Sequence, residues 1–297
     1  MADHFKMPHE IKFATRQRLQ FIEVMAYYTG SISRSQLARA FGISDAAATK
    51  DLKLYNELAP DNIEYNPGIF SFIPGPAFAA VFADLSPQRI LPMFAHNLLS
   101  MDNPSGDTPV YGISVEELPF PARLPDKSVL AQIIRAIRHG TQLNIEYHSL
   151  SDHEDRDNRR IIEPHALINT GLRWHVRAYD QQNYDFRDFV LSRITRAEKL
   201  ERAAESSQSY DDDWMEQVSL RLQAHPGLSK KQQAALNHDY NMQNGTMELR
   251  VRRALTGYIL QQMKVDTTQD HRLNPNAYQL ILANRDEIEL FAGWAFL

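Results

Sequence analysis

The chain has 297 residues, 43% of them hydrophobic, a formal net charge of -5 and no cysteine. That length accommodates two or three domains, each with its own core. The composition excludes disulfides, thiolate metal sites and cysteine nucleophiles, and the charge argues against a surface that coats nucleic acid everywhere, though not against a local basic patch.

No apolar run reaches the roughly 18 residues of a membrane helix, and the start MADHFKMPHEIKF lacks the apolar core of a secretory signal, so a cytoplasmic protein without membrane association is expected. In chain order, the first predicted helix covers about Thr15 to Tyr28, with Leu19, Ile22 and Ala26 on one stripe and Phe21, Val24 and Tyr28 widening it. SRSQLARAFGISDAAATKDLKLYNEL then reads as helix, turn, helix. Ser33 with Gln36 forms a capping box, Leu37 and Phe41 face inward, Gly42 permits a tight turn, and Ser44 caps the following helix. In that helix Ala48, Leu52 and Tyr55 share the inner stripe, while Ala46, Thr49, Lys50 and Lys53 share the outer one. Small residues there let the backbone approach a groove floor and the lysines reach phosphates. NIEYNPGIFSFI places an Asn-Pro-Gly turn between two short alternating segments, a hairpin that would form the wing.

This pattern predicts a winged helix-turn-helix DNA-binding domain over residues 1–95, with Arg34, Ser35, Ser44, Ala46, Ala47, Thr49, Lys50 and Lys53 as candidate contacts to double-stranded DNA. The alternative for this domain is protein contact alone. Residues 1–60 carry eight Lys and Arg against six carboxylates. So weak a positive balance calls for two copies acting together, a homodimer on an operator with inverted half-sites.

Nine of the fifteen prolines fall between Pro74 and Pro125, a connector with at most short helices, one of them in PQRILPMFAHNLLS; the linker between domains is expected over residues 96–125. DKSVLAQIIRAIRHG opens the next domain, residues 126–205, as a helix with Val129, Ile133 and Ile137 four apart and Gly140 at its end. Four short alternating segments follow, in QLNIEYHSL, RRIIEPHALINT, LRWHVRAYD and FRDFVLSRI, and predict a small, strongly curved sheet or barrel. Alternation in LRWHVRAYD puts Trp174, Val176 and Ala178 on a core face and Arg173, His175, Arg177 and Tyr179 on the other. A helical connector is expected over 206–240, containing DDDW as an acidic helix start, and a small α+β domain over 241–297.

The order of parts resembles the bacterial WYL-domain transcriptional regulators, and most of all the BrxR and CapW type of repressor that accompanies anti-phage defence systems. The resemblance rests on IEYHS (145–149), EPHAL (163–167), RWHVRAYD (173–180) and FRDFVLSRI (186–194), with His175 and Val176 standing where the family has tyrosine and leucine. It implies a multidomain α+β protein: a winged helix-turn-helix, a central Sm-like (SH3-like) β-barrel WYL domain and a small C-terminal WCX-like extension. It also implies a nucleotide or oligonucleotide effector on a surface including Tyr147, Ser149, His165, Arg187 and Arg193. On chemistry alone, arginine forks suit phosphate, and Tyr, Ser and His add neutral hydrogen bonds. Arg187 and Arg193 share parity, but six residues of straight strand would hold them about 20 Å apart, which favours an extended oligonucleotide unless the strand bends.

Enzyme readings find little to rest on. In SDHEDRD, His153, Glu154 and Asp155 sit side by side in a predicted turn and point in different directions, which does not build a metal site, and NTGLRW lacks the lysine and helix of a phosphate loop. No catalytic residue, metal or cofactor is expected. The competing reading is a regulatory or RNA-binding subunit attached to a nucleic-acid-processing enzyme.

Overall fold

The computed structural model describes residues 11–96, 111–150 and 158–296, and the chain divides between Pro119 and Phe120 into two units.

In the first unit, α1 (Phe13–Val24) runs into a π turn, Met25–Thr29, that stops at Gly30 with φ 78°. Helix α2 (Arg34–Phe41) begins at the expected capping box: the Ser33 hydroxyl accepts from the Gln36 N–H at 3.1 Å while the Gln36 side chain accepts from the Ser33 N–H at 2.8 Å. It ends at Gly42, whose φ of 61° suits a residue without Cβ. Helix α3 (Asp45–Leu58) starts at the Ser44 cap. An antiparallel hairpin, β1 (Ile63–Asn66) and β2 (Ser71–Pro74), follows, and Phe72 exchanges two backbone hydrogen bonds with Ile32, which ties the wing to the start of α2. Helix α4 (Pro87–His96) comes last, with Pro92 inside it. The core contains the residues that helical spacing places inward, among them Leu19, Ile22, Leu37, Phe41, Ala48, Leu52 and Tyr55. It also encloses Glu23, whose carboxylate accepts N–H bonds from Val81, Phe82 and Ala83 and the Tyr55 hydroxyl. Burial raises the pKa of Glu23 against the pull of those donors.

The second unit opens with α5 (Lys127–His139), ended by Gly140 at φ 60°. Five antiparallel strands follow: β3 (Thr141–Tyr147), β4 (Arg159–Asn169), β5 (Trp174–Asp180), β6 (Asp185–Val190) and β7 (Ile194–Ala203), in the order β6-β5-β4-β3-β7. Register shifts in β3 and β4 interrupt the ladders as bulges do, which bends a sheet. Val129, Ile133 and Ala136 of α5 pack with Leu143, Ile162, Val176 and Ala178. The expected barrel is not closed by backbone pairing, because β6 and β7 are the two edges of the sheet. A 3-10 turn, Leu191–Arg193, carries the chain from one edge to the other. Tyr147, at the end of β3, reaches β6: its hydroxyl accepts from the Val190 N–H at 3.3 Å and its ring packs edge-on against Phe189.

After α6 (Asp212–Met215) come β8 (Gln217–Ala224), α7 (Lys230–Asp239), β9 (Thr246–Arg252), α8 (Thr256–Gln262), β10 (Val265–Asp266), β11 (Leu280–Leu282) and α9 (Arg285–Ala292). They build a four-stranded sheet, β10-β11-β8-β9, around Leu220, Leu222, Leu260, Leu280 and Ile288. Strand β8 lies within the stretch expected as a helical connector; VSLRL alternates too briefly between polar neighbours to be seen as a strand without its partners β9 and β11. Among the described residues no helix is long and apolar enough to cross a membrane.

Candidate nucleic-acid interface and the polar face of the central sheet

The outer stripe of α3 is open. Ala46, Thr49, Lys50 and Lys53 are exposed and Ala47 is half-buried, while Ala48, Leu52 and Tyr55 are buried behind them. Lys50 and Lys53 have no ion-pair partner among the described residues, which leaves both charges available to phosphate. Thr49 donates its hydroxyl to the Asp45 carbonyl at 2.8 Å, so its methyl and oxygen lone pairs are what it can present to a base edge. The Ser44 hydroxyl is engaged as the cap, accepting from the Ala47 N–H at 3.2 Å. Arg34 lies 3.3 Å from Asp45 in an exposed ion pair, and Ser35 shares a 3.1 Å hydrogen bond with Ser33. Together α2, α3 and the wing frame a groove of about 710 Å³, with Arg34, Ser35, Thr49 and Lys53 on the helical side and Tyr65, Phe70 and Phe72 on the wing side.

The hairpin expected as the wing is present, but sequence alone names no contact residue on it. Its tip is apolar and exposed: Phe70 is 78%, Ile69 53% and Tyr65 52% accessible. The visible signal was the run IF directly after the Pro-Gly turn, where polar residues are usual.

Strand β5 gives the opposite result. Val176 and Ala178 are core residues as expected, but Trp174 is 38% exposed. It pairs with Asn169 at the end of the β4/β5 ladder, beside the turn at Gly171, beyond the apolar layer that α5 covers. On the other face His175 is 1% and Arg177 5% accessible. That face is covered by residues from the C-terminal half of the unit. Arg177 donates to both oxygens of Asp211, at 2.7 and 2.8 Å, and to Asp188 at 3.3 Å. Asp188 also accepts from the Tyr258 hydroxyl at 2.9 Å, and the Tyr258 ring packs at a tilt against His175, centroids 5.1 Å apart. Burial raises the Asp188 pKa, with the neighbouring Arg177 pulling the other way. Burial pushes the Asp211 carboxyl up too, yet hydrogen bonds from His165 and Arg177 hold it at about 2. Burial, with Arg173, Arg193 and Arg123 nearby, lowers the His175 imidazole to about 4. Asp211, expected as one acid of a helix start, does cap α6 by accepting from the Trp214 N–H, and its larger role is the buried salt bridge.

The five candidate effector residues are not gathered on one open surface. Tyr147 is buried, with its hydroxyl engaged by the Val190 N–H of β6. His165 is bonded to Asp211 at 3.0 Å and packed edge-on against Phe186 and Trp214. Ser149 and Arg187 are exposed and Arg193 is half-buried. Arg187 lies on β6, whereas Arg193 lies in the 3-10 turn beyond it, so the single straight strand assumed for their separation does not exist. Arg187 also lines a 400 Å³ cleft with Tyr258, Phe291 and Trp294. Among the described residues no group of His, Asp and Glu is arranged to hold a metal; the loop with His153, Glu154 and Asp155 lies outside them.

Comparison with known proteins matches each part. Residues 14–96 match the family profile of the BrxR transcriptional regulator winged helix-turn-helix domain, 128–199 the WYL domain, and 217–288 the BrxR transcriptional regulator C-terminal dimerization domain. The DNA-binding transcriptional repressor CapW of Escherichia coli (strain KTE188) is 34% identical over 93% of this chain and 91% of its own length. CapW of Pseudomonas aeruginosa is 34% identical over 94% and 92%, and CapW of Stenotrophomonas maltophilia 30% identical over 94% and 93%. Among solved structures, the proteasome accessory factor PafBC of Arthrobacter aurescens covers 99% of this chain and 50% of its own at 17% identity and a TM-score of 0.25, which bears on neither fold nor function. With winged helix, WYL domain and dimerization domain in this order, and repressors matched over nine-tenths of both chains at this identity, the chain belongs to the BrxR/CapW family of WYL-domain transcriptional regulators.

Proposed function

We propose that the protein is a homodimeric, DNA-binding transcriptional repressor that reads an inverted repeat through α3 and is not an enzyme. The observation that carries this is the open outer stripe of α3, with Lys50 and Lys53 unpaired behind the small residues Ala46 and Ala47. A backbone that can approach a groove floor, with cations set back from it, suits major-groove docking. The match of residues 217–288 to a dimerization domain supports two such helices on one operator. The target we favour is the promoter of an anti-phage defence operon, since the CapW-type repressors it resembles accompany such systems.

The test is a mobility shift of the full chain with DNA from upstream of its own gene, against unrelated DNA and against the fragment 1–95. Selective binding, much weakened in the fragment through loss of the second half-site, is expected. Equal retention of both DNAs at physiological salt would sink the repressor reading, and equal affinity of fragment and full chain would sink the dimer. For the WYL domain the proposal is a nucleotide or short oligonucleotide effector that touches the accessible members of the candidate set, Ser149, Arg187 and Arg193. Arg193→Ala should then leave unliganded DNA binding intact and abolish the response, because an effector acts only through contacts that differ between the two states. DNA affinity unmoved by either ligand class in the wild type would end this part of the proposal.

A further inference from the structure

The wing tip presents apolar side chains where neither folding nor charge accounts for them. Its loop is shaped by polar contacts. Asn66 accepts the Gly68 N–H on its side chain at 2.9 Å, and Ser71 donates its hydroxyl to the Ile69 carbonyl at 3.2 Å. Phe70 then sits at φ 51°, in the left-handed region. Glycine enters that region freely, whereas a bulky side chain is strained there. Burial does not compensate, since the Phe70 ring is 78% exposed, with Ile69 at 53% beside it. In the free protein, glycine would be the better residue at position 70. The hairpin Ile63–Pro74 carries a single charge, Glu64, so it has no cation with which to hold phosphate.

The groove between α3 and the wing supplies the missing context. Lys53 lines one wall and Phe70 the other. With α3 in a major groove and Lys53 on the phosphates, the sugar-phosphate strand runs along this groove, and the wing tip lies over the adjacent minor groove. Apolar side chains that reach a minor groove wedge between base pairs and kink the duplex.

We propose that Phe70, backed by Ile69, is an apolar wedge that enters the minor groove beside each half-site, partly unstacks one base step and bends the operator. This rests on the DNA-binding reading above. It adds a source of sequence preference that needs no hydrogen bond to a base: easily unstacked pyrimidine-purine steps are favoured at the wedge position.

The experiment uses the full chain, the operator that the wild type selects, and Phe70→Gly. Affinity across a salt series, DNA bending by end-to-end energy transfer, fluorescence of 2-aminopurine placed stepwise along the flank, and the melting temperature of the free protein are measured. Phe70→Gly is expected to lose about tenfold or more in affinity, straighten the DNA and lose the 2-aminopurine signal at one step. Its salt slope should be unchanged, because a benzyl group releases no counterions. Its melting temperature should hold or rise as the left-handed strain is relieved. Wild-type affinity and bending in the variant would overturn the wedge while leaving the repressor reading standing, and would point to a protein partner for the wing tip. A loss of affinity with a shallower salt slope would overturn it too, by making the wing a positioner of phosphate contacts. A wild type that binds no operator at all would remove both readings.

Discussion

The outer face of α3 and the polar face of β5 carry similar side chains and have opposite fates. Both alternate cleanly with an apolar face, and both suggest a surface for anions. On α3 the lysines remain solvated, because none of the following elements of the first unit is laid over that side of the helix. On β5 the same kind of charge is enclosed: Arg177 is held by Asp211, 34 residues later, and by Asp188 on the neighbouring strand. Solvated cations are available to phosphate, whereas cations already neutralised in a buried network hold two layers of the protein together. Periodicity tells which side chains share a face. Whether that face meets water depends on chain that is far away in sequence.

The sharpest way to break this contrast is to remove one cation from each face. Arg177→Ala leaves Asp211 and Asp188 buried without their partner and should cost about 3 to 5 kcal/mol of stability, read by chemical denaturation. A loss under about 1 kcal/mol would mean that the β5 face is wet and free to bind. Acid should separate the faces next. The fold keeps His175 neutral at a pKa of about 4, below its ordinary 6.5, so its contribution is complete above pH 6.5 and is lost as pH falls from there towards 4. Asp211 adds a second loss from about pH 3.8 towards 2, as its ion pair with Arg177 is protonated away. His175→Phe, which keeps a ring against Tyr258, should flatten the stability profile between pH 6.5 and 4; an unchanged acid limb in that variant would show that the imidazole is not the group titrating.

Smaller effects sharpen the comparison further. Trp174→Ala should cost only about 1 kcal/mol or less, because the indole is partly solvated at the ladder end. A loss of several kcal/mol would restore it to the core. Lys53→Ala should leave stability within about 0.5 kcal/mol, while weakening binding to all DNA and reducing the salt slope by about one per half-site. An unchanged slope would mean that α3 presents a different stripe to the duplex.

Much of the fold was legible because its signals are local. The Ser33/Gln36 box, the Ser44 cap, Gly42 and Gly140 at helix ends, and the helical stripes of α1 and α3 each arise within a few residues, and the structure contains them in place. The candidate site was legible in the same measure: the outer residues of α3 could be named because a helix surface follows from its own spacing. Sequence by itself therefore determined the helix-turn-helix, the wing and the alternation of β5. Tertiary structure alone decided that His165, His175 and Arg177 are interior, that Trp174 lies past the end of the covered layer, that β8 is a central strand, and that β6 and β7 remain sheet edges, with Tyr147 at the end of β3 bonded to β6. The reason is physical. A cap or a stripe is satisfied by neighbours in sequence, whereas the burial of a charge is set by whichever distant segment brings the opposite charge to it, and for β5 that segment begins at Asp211.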